Sequence, residues 1–87
     1  MNYKQTKEEI FDILKSPDRI NGINGVIQGI EDAVNAGGVA EIGDIFISSK
    51  EKLEKYRKSG KALIDKINKK NVDDVKDFFD YLANIRD

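Results

Sequence analysis

Residues 42–67 of this chain read IGDIFISSKEKLEKYRKSGKALIDKI. Ile42, Ile45, Leu53, Leu63, Ile64 and Ile67 recur at helical spacing, which predicts three short helices separated by two tight turns. The second turn centres on Ser59-Gly60-Lys61. A glycine that opens a helix leaves backbone N–H groups facing outward, and the positive end of a helix attracts phosphate. Lys55, Arg57, Lys58 and Lys61 surround that glycine. Together with Ser59 and Gly60 they are the candidate nucleic-acid-binding residues. The alternative is an ordinary interhelical turn, in which glycine supplies an unusual backbone angle and the lysines stay solvated.

On the N-terminal side, Thr6-Lys7-Glu8-Glu9 has capping-box spacing, and Ile10, Phe11, Ile13 and Leu14 follow as an apolar face. Ser16-Pro17 stops that helix. Ile23, Val26, Ile27, Ile30 and Val34 predict a second helix, ended by Gly37-Gly38. Its internal Gly22, Gly25 and Gly29 each cost about 1 kcal/mol against Ala, unless they permit close helix contact. Val39, Ile42 and Ile45 mark a short third helix, Ser48 or Ser49 caps a fourth carrying Leu53 and Tyr56, and Ser59 or Gly60 opens a fifth. Asn71 is a good cap for the last helix, with Asp73 and Asp74 in its first turn and Val72, Val75, Phe79 and Leu82 as its buried stripe, widened by Phe78 and Ile85. The expected fold is all-α, a single domain over residues 1–87 with five or six helices. Ile30, Val34, Ile42, Leu53, Ile64, Ile67 and Phe79 should be buried together.

Composition narrows the functional classes. The 87 residues contain no cysteine, histidine or tryptophan, which removes the usual nucleophiles, general bases and soft metal ligands. No catalytic residues, metal site or cofactor are expected, and the chain reads as a non-enzyme. Apolar runs fall far short of the roughly 20 residues a membrane span needs, and no signal-peptide pattern is legible, so a cytoplasmic location is expected. The formal net charge of −1 hides an asymmetry. Residues 1–49 carry four basic and eight acidic side chains, residues 50–70 nine and three, and residues 71–87 two and five. Local potential governs binding to a polyanion, so the basic central segment outweighs the acidic total.

Over residues 30–70 the pattern resembles the C-terminal domain of the bacterial RNA polymerase α subunit, a compact helical fold related to helix-hairpin-helix modules. The matching residues are Ala36, Val39, Ile42-Gly43-Asp44-Ile45, Leu53, Lys55, Gly60-Lys61 and Ile67. The resemblance implies a core of that kind at about residues 23–70, an extra helix at each end, and a DNA-associated or transcription-associated role. The family grips the minor groove with an arginine and an asparagine, whose positions fall here at Gly29 and Asp32. Its lysine-serine pair after the glycine turn is replaced by Ala62 and Leu63. Contact with DNA is therefore expected to be weak and sequence-tolerant, through the phosphate backbone.

Two further clusters stand out on the last helix. Asp73, Asp77 and Asp80 share one face of the last helix and could approach a magnesium ion, but no loop of further oxygen ligands accompanies them, so a solvated face is the better reading. Phe79 belongs to the core, while Phe78 and Tyr81 lie at its edge, where one could join a protein interface, although a small domain needs its aromatics and core is the better reading. The alternative function is accordingly a protein-interaction module that keeps the fold without binding nucleic acid, acting through its terminal helices.

Overall fold

The computed structural model describes residues 2–68 and 74–87. In chain order the elements are β1 (Tyr3–Gln5), α1 (Lys7–Lys15), α2 (Arg19–Asn35), β2 (Ala40–Ile42), β3 (Ile45–Ile47), α3 (Lys50–Lys55), α4 (Arg57–Asn68) and α5 (Asp74–Ile85). Five helices pack with a small mixed sheet of order β1-β2-β3, so the fold is mostly helical and not all-α.

The first half follows its local signals. Thr6 Oγ1 accepts from the Glu9 N–H at 3.1 Å, and the Glu9 carboxylate accepts from the Thr6 N–H at 3.0 Å, which completes the capping box of α1. Helix α2 ends where expected. Gly37 takes φ +83°, its N–H reaches the Val34 carbonyl at 3.0 Å, and the Gly38 N–H reaches Ala33 at 2.8 Å. This paired bonding is the Schellman arrangement, which needs a left-handed residue that glycine supplies without strain.

The expected third helix is a β-hairpin. Ala40, Glu41 and Ile42 pair antiparallel with Ile47, Phe46 and Ile45 across the two-residue loop Gly43-Asp44. Gly43 has φ +60°, the backbone region that two-residue hairpin loops require at their first position. Alternation, not helical spacing, sorts this segment: Ala40, Ile42 and Ile47 are buried, while Phe46 faces out. Strand β1 adds to β2 in parallel, pairing Tyr3, Lys4 and Gln5 with Ala40, Glu41 and Ile42. A row of outward side chains, Lys4–Glu41–Phe46, therefore crosses the open face of the sheet.

One continuous core takes residues from all five helices and from β2 and β3. Ile30, Val34, Ile42, Leu53 and Ile67 are buried in it as expected, whereas Ile64 and Phe79 are only partly buried. The stripe of α5 is rotated from the expected one: Phe78, Tyr81, Leu82 and Ile85 face inward, and Phe79 turns toward the surface. The cap at Asn71, together with Val72 and Asp73, lies outside the described residues, as do the side chains of Asp74 and Val75. No helix among the described residues is long and apolar enough to cross a membrane.

Candidate functional site

The cationic cluster singled out by the sequence is exposed, but its geometry differs from the expected turn. The break between the two helices falls at Tyr56, which ends α3, and α4 already begins at Arg57. Gly60 therefore lies inside a helix, buried, with its N–H donating to the Tyr56 carbonyl at 3.2 Å. That amide is not available to a phosphate. A Cβ on Gly60 would sit 3.2 Å from the Tyr81 ring, so this glycine serves the close approach of α4 to α5. The helix-hairpin-helix turn expected at Ser59-Gly60 is not formed, because the helix register places the glycine against a neighbour.

Lys55, Arg57, Lys58, Ser59 and Lys61 remain exposed around the α3–α4 junction. Lys55 Nζ lies 5.5 Å from the centre of the Tyr56 ring, within cation–π range. Carboxylates border the cations on two sides. Arg57 and Lys61 line one shallow depression with Glu31 on α2, and Ser59 lines another with Asp77 and Asp80 on α5. Neighbouring acids lower the positive potential that a polyanion would feel. Burial pushes the Tyr81 phenol above its ordinary value near 10, Glu31 adds to the rise, and Arg57 opposes it. Asp80 is paired with Lys76 at 2.9 Å, and no group of three or more possible metal ligands converges among the described residues.

A second region was not anticipated. Among the described residues Phe46 and Val39 are the exposed large hydrophobics, with Phe46 51 % exposed. Phe46 stands on the open sheet face, beside the Lys4–Glu41 pair at 3.9 Å, and borders a depression shared with Tyr3 and Val39. On its other side it borders a groove with Ile45 and Arg86. Asp44, Ile45 and Arg86 of that groove also line a cleft of about 290 Å³ between the hairpin loop, the start of α1 and the end of α5. Phe78 and Tyr81 are buried, in line with the core reading of the aromatic cluster.

This surface is firmly held. The Gly43 N–H donates to the Gln5 carbonyl at 2.9 Å, which fastens the hairpin loop to β1. At the far end of β3, the Asp87 carboxylate accepts from both the N–H and the hydroxyl of Ser48, each at 2.8 Å. The Asp87 N–H donates to the Phe46 carbonyl at 2.8 Å, and Lys52 Nζ donates to the Arg86 carbonyl at 2.7 Å. Ser48 is thus engaged by α5's tail, and it is Ser49 that caps α3, accepting from the Lys52 N–H at 3.3 Å. The Gly-Asp pair between runs of β-branched residues is the signal that reveals the hairpin, and with it the outward Phe46. Compared with family models, curated proteins and solved structures, the chain matches none of them.

Proposed function

We propose that this protein is a non-enzymatic binding domain that docks a protein partner on its hairpin side. The observation that carries this reading is Phe46, a large aromatic half in solvent on the edge strand β3 of the sheet, with depressions beside it. Leaving half of such a side chain in solvent forgoes on the order of 1 kcal/mol of burial, which a partner's surface would recover. Aromatic anchors of this kind supply much of the energy of protein interfaces.

The test compares affinity purifications of the full chain, a Phe46→Asp variant and a Lys58→Glu/Lys61→Glu variant at matched thermal stability. Proteins recovered with the unaltered chain should be lost with Phe46→Asp and retained with the double variant. The reverse pattern would move the function to the α3–α4 junction.

A second reading, weak contact with the phosphate backbone of DNA through Lys55, Arg57, Lys58, Ser59 and Lys61, keeps one observation in its favour. The first turn of α4 holds Arg57 and Lys58 and no acidic residue, so cations occupy the positive end of a helix, where anions are preferred. Under this reading, duplex DNA should bind at low salt, with an affinity that falls by roughly 0.9 log units per log unit of salt for each phosphate contacted. Lys58→Glu/Lys61→Glu should abolish that binding. Gly60 is no longer among the proposed contacts.

A further inference from the structure

The cleft beside Phe46 has a two-part character. Ile10 and Ile42, both 1 % exposed, form its floor, and the partly buried Ile45 and Phe79 also line it. Its rim carries Lys7, Arg86 and Asp44, an excess of one positive charge. Among the described residues neither Lys7 nor Arg86 has an ion-pair partner. The nearby Asp87 is turned to Ser48, from which both its carboxylate oxygens accept. A cleft of about 290 Å³ is at the small end of the ~300–1,000 Å³ range of ligand pockets, and suits one large side chain better than a cofactor.

The walls are fixed before anything binds. Lys7 is the first residue of α1, directly after the Thr6 cap, and its Cα and Cβ pack under the loop at Gly43, within 3.9 Å of where a Cβ on that glycine would lie. The Arg86 N–H donates to Leu82 at 2.9 Å and its carbonyl accepts from Lys52, which sets the base of the guanidinium arm. Phe79 is braced by Phe11 and Phe78, each with its ring centre 5.9 Å away. Little conformational entropy is lost when a segment enters a site of this kind.

We infer that the cleft takes a peptide segment of the partner protein that lays a large apolar side chain against Ile45 and Phe79 and offers a carboxylate to Lys7 and Arg86. The inference rests on the protein-docking reading and names the chemistry of what is docked. The apolar part follows from the lining. The carboxylate follows from two rim cations that outnumber the rim's one carboxylate, Asp44, and are not held in an ion pair among the described residues; one of them is an arginine, whose planar fork matches a carboxylate.

The probes are three blocked dipeptides, acetyl-Phe-Glu-amide, acetyl-Phe-Gln-amide and acetyl-Ala-Glu-amide, titrated into the ¹⁵N-labelled full chain and followed by amide chemical shifts. Acetyl-Phe-Glu-amide should shift Gly43, Asp44, Ile45 and Arg86. Acetyl-Phe-Gln-amide should bind about fivefold more weakly, the effect of roughly one charge-assisted contact on an exposed rim. Acetyl-Ala-Glu-amide should leave these signals in place. A Lys7→Gln/Arg86→Gln variant, checked for an unchanged melting temperature, should bind the Glu and Gln dipeptides equally. Equal binding of these two to the unaltered chain, or shifts confined to the α3–α4 junction, would overturn the inference, as would no shift at all. Shifts at the cleft that grow with protein concentration alone would assign it to a second copy of the chain and equally overturn it. Partner recovery that still depends on Phe46 would show that the docking reading survives such a failure.

Discussion

Gly25 and Gly29 lie about one turn apart on α2, yet a methyl group added to each meets different surroundings. At Gly25 there is nothing within 4 Å, whereas at Gly29 the Tyr3 ring would be 2.4 Å away. Gly25→Ala should therefore stabilise the protein by about 0.5–1 kcal/mol through helix propensity alone. Gly29→Ala should destabilise it by about 1–3 kcal/mol, since Tyr3 must leave its packed position. Urea unfolding of the two variants checks both signs. Tyr81 yields a pH prediction. Its phenol is held above its unfolded value near 10, so the native state keeps the proton after the unfolded state has lost it. Its contribution is complete below about pH 10 and is lost as pH rises through the native value. Tyr81→Phe should make the decline of stability above pH 10 shallower, read from unfolding free energies at pH 8 and at about pH 11. Gly60 shows how a residue's meaning depends on its neighbour: it reads as a phosphate-binding turn in sequence and proves to be clearance for Tyr81.

At the level of elements, the hairpin Ala40–Ile47 is the part whose sequence admits two periods. Val39, Ile42 and Ile45 fit a helix, while Ala40, Ile42, Ile45 and Ile47 fit two short strands. The choice falls to the strands because Gly38 follows a closed helix end and Gly43 can adopt positive φ, which places Ile42 opposite Ile45. Gly43→Val should cost about 1–2 kcal/mol, because a β-branched residue is strained in the left-handed region. Faster amide exchange at Ile45 and Ile47 than at α2 residues in that variant would show that the loss is local to the hairpin. The break between α3 and α4 has no such mark. Glu54-Lys55-Tyr56-Arg57 contains neither glycine nor proline. Helix α3 stops where Tyr56 turns its ring onto the core, a tertiary contact that no local pattern announces. In α5 the apolar residues suit more than one inward face, and only the packing selects Phe78 over Phe79.

For the whole molecule, α4 packs against both α2 and α5, with Ile67 wholly buried among them. Ile67→Ala should cost about 2–5 kcal/mol, measured by thermal or urea unfolding. For a chain of 87 residues that is a large share of the roughly 5–15 kcal/mol that holds small domains together. A change under about half a kcal/mol would mean that the α4 face is assigned incorrectly.

The sequence by itself determined the helices whose signals are local. The Thr6 capping box, the Pro17 stop and the Gly37 helix end each rest on residues a few positions apart, where side chain and backbone meet whatever the rest of the chain does. The choice of Ser49 over Ser48 as the cap of α3 goes with Asp87 engaging Ser48 from the far end of the chain. It also determined most of the core, since Ile30, Val34, Ile42, Leu53 and Ile67 have one inward direction once their elements form. Tertiary structure decided the sheet, the rotation of α5 and the surroundings of the cationic junction. Strand β1 is three residues long and is held by tertiary contacts: pairing with β2, 37 positions away in register, the bond from Gly43 to Gln5 and the packing of Tyr3 on α2. Acids from α2 and α5 border Arg57, Ser59 and Lys61. The cleft joins Lys7 and Arg86, from opposite ends of the chain, with Ile45 from its middle, an encounter made by packing energy and invisible to spacing.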